Sequence, residues 1–284
     1  MFGGSPVLGI VLGSMLISSS LPNAYQVASG DAHPIMFFNF IPVVGYQGTV
    51  LPALFVGMIG AKLEQRLRKV IPDALDLLLT PFLVFLIMST LGLFVIGPIF
   101  HSLENYILIG TEWILKLPFG IAGIIIGGLQ QLIVVTGVHH IFNFLEIQLL
   151  AKDGFNQFNP LLSAAVAGQF GAVLAVGVKT KDKKLKALAL PSALSAALGI
   201  TEPAIYGVNL IKGKGKPFLM GLAGGAAGGF LASVFGLKAS GMAVTVIPGI
   251  LLFLNAQLPL YLVSIIVGAG VSFALTYTFV KLEK

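Results

Sequence analysis

Charged residues in this chain are confined to short clusters that separate long apolar runs. Only 10% of its 284 residues are charged, 56% are hydrophobic, and the mean hydropathy is +0.97. A soluble domain carries roughly 25% charged residues, so a water-soluble fold of this size lacks the charges to cover its surface. The sequence therefore predicts an all-α fold, a multi-pass transmembrane helical bundle. The absence of cysteine excludes disulfide scaffolds, thiolate metal sites and any thiol chemistry within these residues.

The basic residues indicate topology rather than a nucleic-acid partner. They account for the pI of about 9.5, and 14 of the 17 fall into four groups. The positive-inside rule places such groups on the cytoplasmic side of a membrane. We therefore predict cytoplasmic loops at 62–69, 179–186 and 212–216 and a cytoplasmic C-terminus at Lys281 and Lys284.

Apolar runs predict helices at 7–21, 50–63, 74–100, 119–138, 160–178, 217–237 and 258–281. If the first two basic loops lie on the same side of the membrane, an even number of membrane spans must separate them. Only three of these apolar runs lie between them. The missing crossing is either 141–151 or the more amphipathic segment 103–117, which is better suited to a membrane interface. The sequence leaves both open.

The segment 185–211 predicts a re-entrant hairpin. Its apolar part is too short to span about 30 Å of hydrocarbon, and both of its flanks are basic. Glu202 lies at the expected turn, where Pro203 should stop the helix and disfavour helical backbone at the glutamate. An ionisable residue at this depth marks a functional site, the alternative being a carboxylate that caps the turn or reaches water. A second hairpin is expected over 240–257, around Pro248 and Gly249.

Other polar residues interrupt the apolar runs. His139 and His140 are adjacent, so they do not share a helix face, and their spacing predicts no metal site. Tyr46 and Gln47 are suited to carbohydrate, although a connecting loop is an equal alternative, and Gln169 is a weaker candidate of the same kind. Gly221, Gly225 and Gly229 recur every fourth residue and predict close helix packing.

Three motifs carry a family resemblance. The run Leu198-Gly199-Ile200-Thr201-Glu202-Pro203-Ala204-Ile205-Tyr206-Gly207-Val208-Asn209-Leu210 resembles the membrane component, enzyme IIC, of the glucose superfamily of bacterial phosphoenolpyruvate-dependent sugar phosphotransferase systems. The run Gly137-Val138-His139-His140 is similar to that family's histidine motif, and Gly45-Tyr46-Gln47-Gly48-Thr49-Val50-Leu51-Pro52 joins them. Together with segments 179–182 and 216–229, they are most similar to the sucrose branch, followed by the trehalose and β-glucoside branches.

The resemblance implies one enzyme IIC domain over 1–284 that lacks the family's first one or two membrane helices. Such proteins are dimers in the bacterial inner membrane, surrounded by lipid. They form the membrane part of a protein-N(π)-phosphohistidine–sugar phosphotransferase and use no cofactor. A phosphorylated IIB domain donates phosphate from a cysteine, with IIA and HPr upstream, and the family relation implies no nucleic-acid partner.

The resemblance also assigns site residues. It places Glu202 and His139 at the sugar, as the catalytic pair. Relatives in the glucose and maltose branches often carry an arginine where this chain has Gln131, which favours a different sugar. The predicted sugar-binding residues are Thr201, Gln131, His140, Gln169, Tyr46 and Gln47.

The chemistry of the residues agrees with this role. A carboxylate that accepts the proton of a sugar hydroxyl contributes roughly 10² to 10⁴ to the rate of its attack on phosphorus. We therefore predict a permease that phosphorylates a disaccharide, most simply sucrose, during import. Two rivals remain: a secondary transporter in which Glu202 and His139 carry protons, and an inactive truncated permease.

Overall fold

The computed structural model describes residues 3–39 and 41–282, which form two compact units, Met1–Leu108 and Ile109–Lys284. Lys284, part of the predicted cytoplasmic C-terminus, lies outside the described residues. The elements of the first unit are α1 (Pro6–Leu16), α2 (Ala24–Ser29), β1 (Ile35–Phe37), β2 (Ile41–Val43), α3 (Leu51–Leu67) and α4 (Asp73–Leu91). A π-helical turn, Gly92–Ile96, joins α4 to α5 (Gly97–Leu115), which extends into the second unit.

The first unit is built around a core shared by α1, α3 and α4. The strands β1 and β2 pair with each other in antiparallel register. The buried core residues are Leu12, Leu16, Ala24, Tyr46, Val56, Val84, Met88 and Ile96. The Tyr46 hydroxyl donates to the carbonyl oxygen of Leu93, at 3.2 Å. Tyr46 thereby ties the loop before α3 to the π-helical turn.

The segment 103–117, expected as a possible interfacial helix, instead continues the long helix as far as Leu115. Glu104 in this stretch is only 1% exposed, and its Oε1 accepts the backbone N–H groups of Val50 and Leu51 at 2.7 and 2.8 Å. Those two groups have no partner within α3, because the first N–H groups of any helix lack one. The carboxylate is therefore buried against a helix N-terminus, and the position of this stretch in the membrane stays a prediction.

The second unit is a helical bundle. Its elements are α6 (Ile121–Thr136), α7 (Ile141–Asp153), α8 (Asn159–Lys179), α9 (Lys183–Ala197), α10 (Glu202–Ala204), a π-helical turn (Ile205–Asn209), a 3₁₀ turn (Lys212–Gly215), α11 (Lys216–Val234), α12 (Val246–Gly249), a 3₁₀ turn (Ile250–Phe253) and α13 (Leu258–Phe279). The segment 240–257, expected as a second hairpin, contains only these short helical turns, which are too short to cross a bilayer.

Glycines bring α11 against its neighbours. A Cβ at Gly225 would overlap the carbonyl oxygen of Gly127 on α6, and one at Gly229 would overlap that of Gly123. Gly221 lies directly against the Gln169 side chain of α8. The close packing that the four-residue glycine spacing predicts is therefore confirmed, and it lets three helices approach at backbone distance.

The hairpin segment folds as two packed arms. Leu185, Ala189 and Ala193 of α9 share a buried cluster with Ala204 and Val208 of the returning arm. Residues of α8 complete that cluster, so the bundle covers the inner face of the hairpin. Its re-entrant path through the membrane stays a prediction.

Four helices of the described chain are long and apolar enough to cross a membrane: Asp73–Leu115, Asn159–Lys179, Lys212–Val234 and Leu258–Phe279. These helices agree with the predicted all-α membrane bundle. The helices Pro6–Leu16 and Ile121–Thr136 are apolar but shorter. The side of the membrane on which each basic loop lies stays a prediction.

Candidate functional site

A polar cleft of about 140 Å³ lies within the second unit. Its walls come from α6, the linker to α7, α7 itself, the start of α8, the turn before α10 and the segment before α12. The polar residues that line it are Gln130, Gln131, His139, Asn143, Glu146, Asn159, Thr201, Glu202 and Thr245. Four predicted site residues, Gln131, His139, Thr201 and Glu202, therefore meet in one cleft.

The turn that presents Glu202 begins where α9 ends. Gly199 has a φ of 98°, a left-handed conformation that favours glycine, and the Ile200 N–H donates to the carbonyl oxygen of Ser195 at 3.0 Å. A Cβ at Gly199 would lie 2.9 Å from the Thr245 hydroxyl oxygen, so the turn is pressed against the opposite wall. Thr201 is buried, whereas Glu202 remains exposed.

Pro203 differs from its expected role. It stands in the first turn of α10, where helical backbone has already resumed at Glu202. A proline is tolerated there because the first N–H groups of a helix have no intrahelical partner. The chain therefore breaks at 198–201, before the glutamate, and Pro203 starts the returning helix.

The two histidines lie in the linker between α6 and α7. Their ring centroids are 4.2 Å apart, and only His139 lines the cleft. Burial lowers the pKa of His139 and the neighbouring His140 lowers it further, whereas the Glu202 carboxylate raises it. Because the net shift is downward, the His139 imidazole is predominantly neutral at pH 7. Its buried Nδ1 has no hydrogen-bond partner among the described residues.

Tyr206 ties the two motifs together. Its hydroxyl donates to the carbonyl oxygen of Val135 at 3.0 Å, near the C-terminus of α6. The returning arm that carries Glu202 is thereby fastened to the helix that leads into His139. This contact joins two segments that are about seventy positions apart in the sequence.

Gln131 and Gln130 reach the cleft from α6. Gln131 is 1% exposed, and its Oε1 has no hydrogen-bond partner within residues 3–39 and 41–282. A buried acceptor without a donor costs free energy, so this oxygen is suited to a ligand hydroxyl.

A second carboxylate, Glu146, faces the cleft from α7. Its Oε2 accepts the side-chain amides of Asn156 at 2.5 Å and Asn159 at 3.1 Å, and all three residues are buried. Asn159, Gln130 and Thr245 lie outside the three sequence motifs. Asn159 precedes Pro160 at the start of a predicted helix, where asparagine is typical of an N-cap. Its position in the sequence therefore does not indicate that it lines a cleft.

The remaining predicted sugar-binding residues are not among those that line the cleft. In the first unit, Gln47 donates to the carbonyl oxygens of Ser18 and Leu21 at 2.8 and 3.1 Å. Tyr46 is 1% exposed in the core of the same unit. Gln169 is not among the residues that line the cleft. A sugar-binding role for each of them stays a prediction.

Gln169→Met distinguishes a structural role of Gln169 from the predicted sugar-binding role, and its protein contacts lead us to expect lower stability with unchanged sugar binding. Gln169 is fully buried, donates to the carbonyl oxygen of Phe218 at 3.2 Å and accepts from Asn209 at 2.9 Å. The substitution removes both bonds and should cost about 1–2 kcal/mol of unfolding free energy. Unfolding in detergent and sugar titration measure the two effects. A sugar dissociation constant that rises tenfold or more would instead place Gln169 at the sugar.

A larger hollow of about 320 Å³ lies beside Phe119 and Lys238. Neither a carboxylate nor an imidazole is among the residues that line it. It therefore lacks the combination of carboxylate and imidazole that the 140 Å³ cleft provides, which makes the cleft the better candidate site.

Comparison with known proteins identifies the family of this chain. Residues 1–225 match the family described as Phosphotransferase system, EIIC. The chain belongs to the phosphotransferase enzyme IIC family. This membership and the four apolar helices together make it an integral membrane protein.

Individual relatives of this enzyme IIC chain are named for two sugars. It is 42% identical over 278 residues to the sucrose-specific EIIBC component of Salmonella typhimurium, and this alignment covers 97% of this chain and 60% of the relative. It is 40% identical over 248 residues to that of Bacillus subtilis (strain 168), covering 87% and 53%. The trehalose-specific EIIBC component of the same organism is 34% identical over 288 residues, covering 99% and 61%. The chain thus spans little more than half the length of these relatives.

Proposed function

We propose that this chain is the sugar permease of a phosphotransferase system and that it imports sucrose while a partner phosphorylates it. The observation that carries the proposal is that Glu202 and His139, from separate motifs, line one polar cleft. The sucrose-specific relatives, 40–42% identical, support the choice of sugar. Gln131 also fits this choice, because it offers the cleft an amide where the glucose and maltose branches often carry an arginine.

The proposed reaction transfers a phosphoryl group from sulfur to oxygen. The oxygen of a sugar hydroxyl forms a bond to phosphorus, the bond between phosphorus and the IIB cysteine breaks, and the thiolate leaves. Glu202 accepts the hydroxyl proton during this attack. The neutral His139 and the Thr201 hydroxyl orient the sugar, and His140 supports the His139 ring from the side.

The partners follow from this chemistry. These 284 residues contain no cysteine, so the phosphocysteine belongs to a IIB domain outside them. That IIB domain receives its phosphoryl group from HPr by way of IIA. The basic loops face the cytoplasm of a bacterial inner membrane, where phospho-IIB is found. We further propose that the permease works as a homodimer in lipid and that residues 185–211 form a re-entrant hairpin.

The cleft must widen to take a disaccharide. Its volume of about 140 Å³ is below the range of about 300 to 1,000 Å³ for ligand pockets. The segment before α12 is a candidate for the moving wall. Ala243 in this segment has a φ of 71°, and Val246, the first residue of α12, has a φ of 52°, so two non-glycine residues hold left-handed backbone at this wall.

Product analysis tests the proposed function. Membrane vesicles that contain this chain are supplied with labelled sucrose and with phosphorylated or unphosphorylated IIB. We expect sucrose phosphate only with phospho-IIB. Unmodified sucrose that accumulates with a proton gradient and without IIB would contradict the proposal and indicate a secondary transporter.

A further inference from the structure

The amide of Asn159 is held in one orientation. Its Nδ2 donates to Oε2 of Glu146 at 3.1 Å and to the carbonyl oxygen of Val244 at 3.2 Å. Both partners are acceptors, and a side-chain amide has two hydrogens to give, so the nitrogen is fully used. Rotating the amide by half a turn would direct its oxygen at two other oxygens. The Oδ1 atom therefore cannot exchange places with the nitrogen.

This fixed oxygen has no donor. Asn159 is completely buried and lines the cleft, yet its Oδ1 lacks a hydrogen-bond partner in the described part of the chain. A buried acceptor without a donor is costly, and native proteins seldom leave one unpaired. Sugar hydroxyls are donors, and a sugar that widens the cleft brings them to its walls.

Asn156 is the second asparagine that donates to Glu146, and it serves as a comparison. Both polar atoms of its side chain are paired. Its Oδ1 accepts the N–H groups of Phe158 and Asn159 at 3.0 and 3.1 Å, and its Nδ2 donates to Glu146 at 2.5 Å and to the carbonyl oxygen of Gly241 at 3.2 Å. Of these two asparagines, only the one that lines the cleft has a free acceptor.

We propose that Asn159 determines sugar specificity, its Oδ1 accepting a hydrogen bond from one sugar hydroxyl. Glu146 is the positioning residue that holds the amide in the accepting orientation. This inference rests on the proposed function, and it adds a hydroxyl-reading contact outside the family motifs. The cleft thereby selects a neutral sugar that carries a hydroxyl at one particular position and discriminates against its deoxy analogue.

Monodeoxy analogues of sucrose test the contact. For the wild-type chain in detergent or lipid nanodiscs, we expect removal of one hydroxyl to weaken binding roughly tenfold or more at the Asn159 position. Asn159→Leu removes the acceptor at similar side-chain length. It should weaken sucrose binding by a similar factor and bind that one deoxy analogue no worse than sucrose. The penalties at the other hydroxyls should remain.

Substitutions at Glu146 test the positioning role. Glu146→Gln keeps an oxygen for both asparagine amides, so we expect the wild-type pattern of penalties. Glu146→Leu frees the Asn159 amide to rotate and should erase the penalty at the same hydroxyl. A variant that merely loosens the fold would lower all affinities together. Ser264→Ala removes a buried hydroxyl of α13 that does not line the cleft, so it is the matched control and should retain every penalty.

The outcomes separate this inference from the proposed function. If the wild-type chain does not bind sucrose, the proposed function fails. If it binds sucrose and Asn159→Leu retains all the penalties, the inference about Asn159 is wrong. If Asn159→Leu does not fold, Asn159→Ser, which is too short to reach the same hydroxyl, replaces it. Wild-type binding that no single deoxygenation weakens overturns the inference without any variant.

Discussion

Glu202→Gln is expected to lower the rate of sucrose phosphorylation by roughly 10² to 10⁴. Glu202 lines the cleft at the start of α10 and stays exposed, so its carboxylate is accessible to a sugar hydroxyl. Glutamine keeps the shape and the hydrogen-bonding oxygen but cannot accept the proton. Sucrose binding should therefore change much less than turnover. The measurement is the rate of formation of sucrose phosphate by vesicles supplied with phospho-IIB.

Two further variants serve as controls for Glu202→Gln. Glu112→Gln replaces a carboxylate of α5 that does not line the cleft, and it should retain full activity. Glu202→Asp keeps the carboxylate but draws it back by one methylene, so activity should fall between that of Glu202→Gln and the wild type. Full phosphorylation by Glu202→Gln would show that another group accepts the proton.

Gly225→Ala is expected to cost about 3 kcal/mol of unfolding free energy. A Cβ at Gly225 would overlap the carbonyl oxygen of Gly127 on α6, and it would lie 3.0 Å from the Cα of Ala165 on α8. Backbone atoms crowd it on both sides, so no side chain can turn away to make room. The helices must separate, which loosens the bundle that carries the cleft. Unfolding of the purified protein in mixed detergent micelles measures the loss.

Gly270→Ala provides the matched control. It makes the same substitution in α13, where a Cβ would have no atom within 4 Å among its described neighbours. Alanine favours helix over glycine by about 1 kcal/mol, so stability should stay unchanged or rise slightly. An equal loss in both variants would mean that close contact is not the reason for the glycines.

Much of the fold is readable from the sequence because its causes are local. Long apolar runs predict the membrane helices, and their observed bounds differ from the predicted ones by only a few residues in α8 and α13. Glycine spacing on α11 predicts the close crossing, because a helix face without side chains lets a neighbouring backbone approach. The motif around Gly199 predicts a chain reversal, and the left-handed glycine provides it.

Other features depend on contacts or positions that the sequence does not show. The N–H groups that Glu104 accepts come from Val50 and Leu51, more than fifty positions earlier in the chain. Pro203 is a helix breaker in most positions and a helix starter in the first turn, and only the observed break before Glu202 distinguishes them.

By itself the sequence determined the class of protein, the helices and the motif residues, because hydropathy, glycine spacing and backbone preference act over a few neighbouring positions. Only the tertiary structure decided which polar groups share the cleft. It brought Glu146 and Asn159 to the wall beside Glu202, whereas Gln169 was bonded away from the cleft lining. The reason is that a polar residue in an apolar helix must form hydrogen bonds when it is buried. Whether the protein or a ligand provides them depends on long-range packing, which the local sequence does not specify.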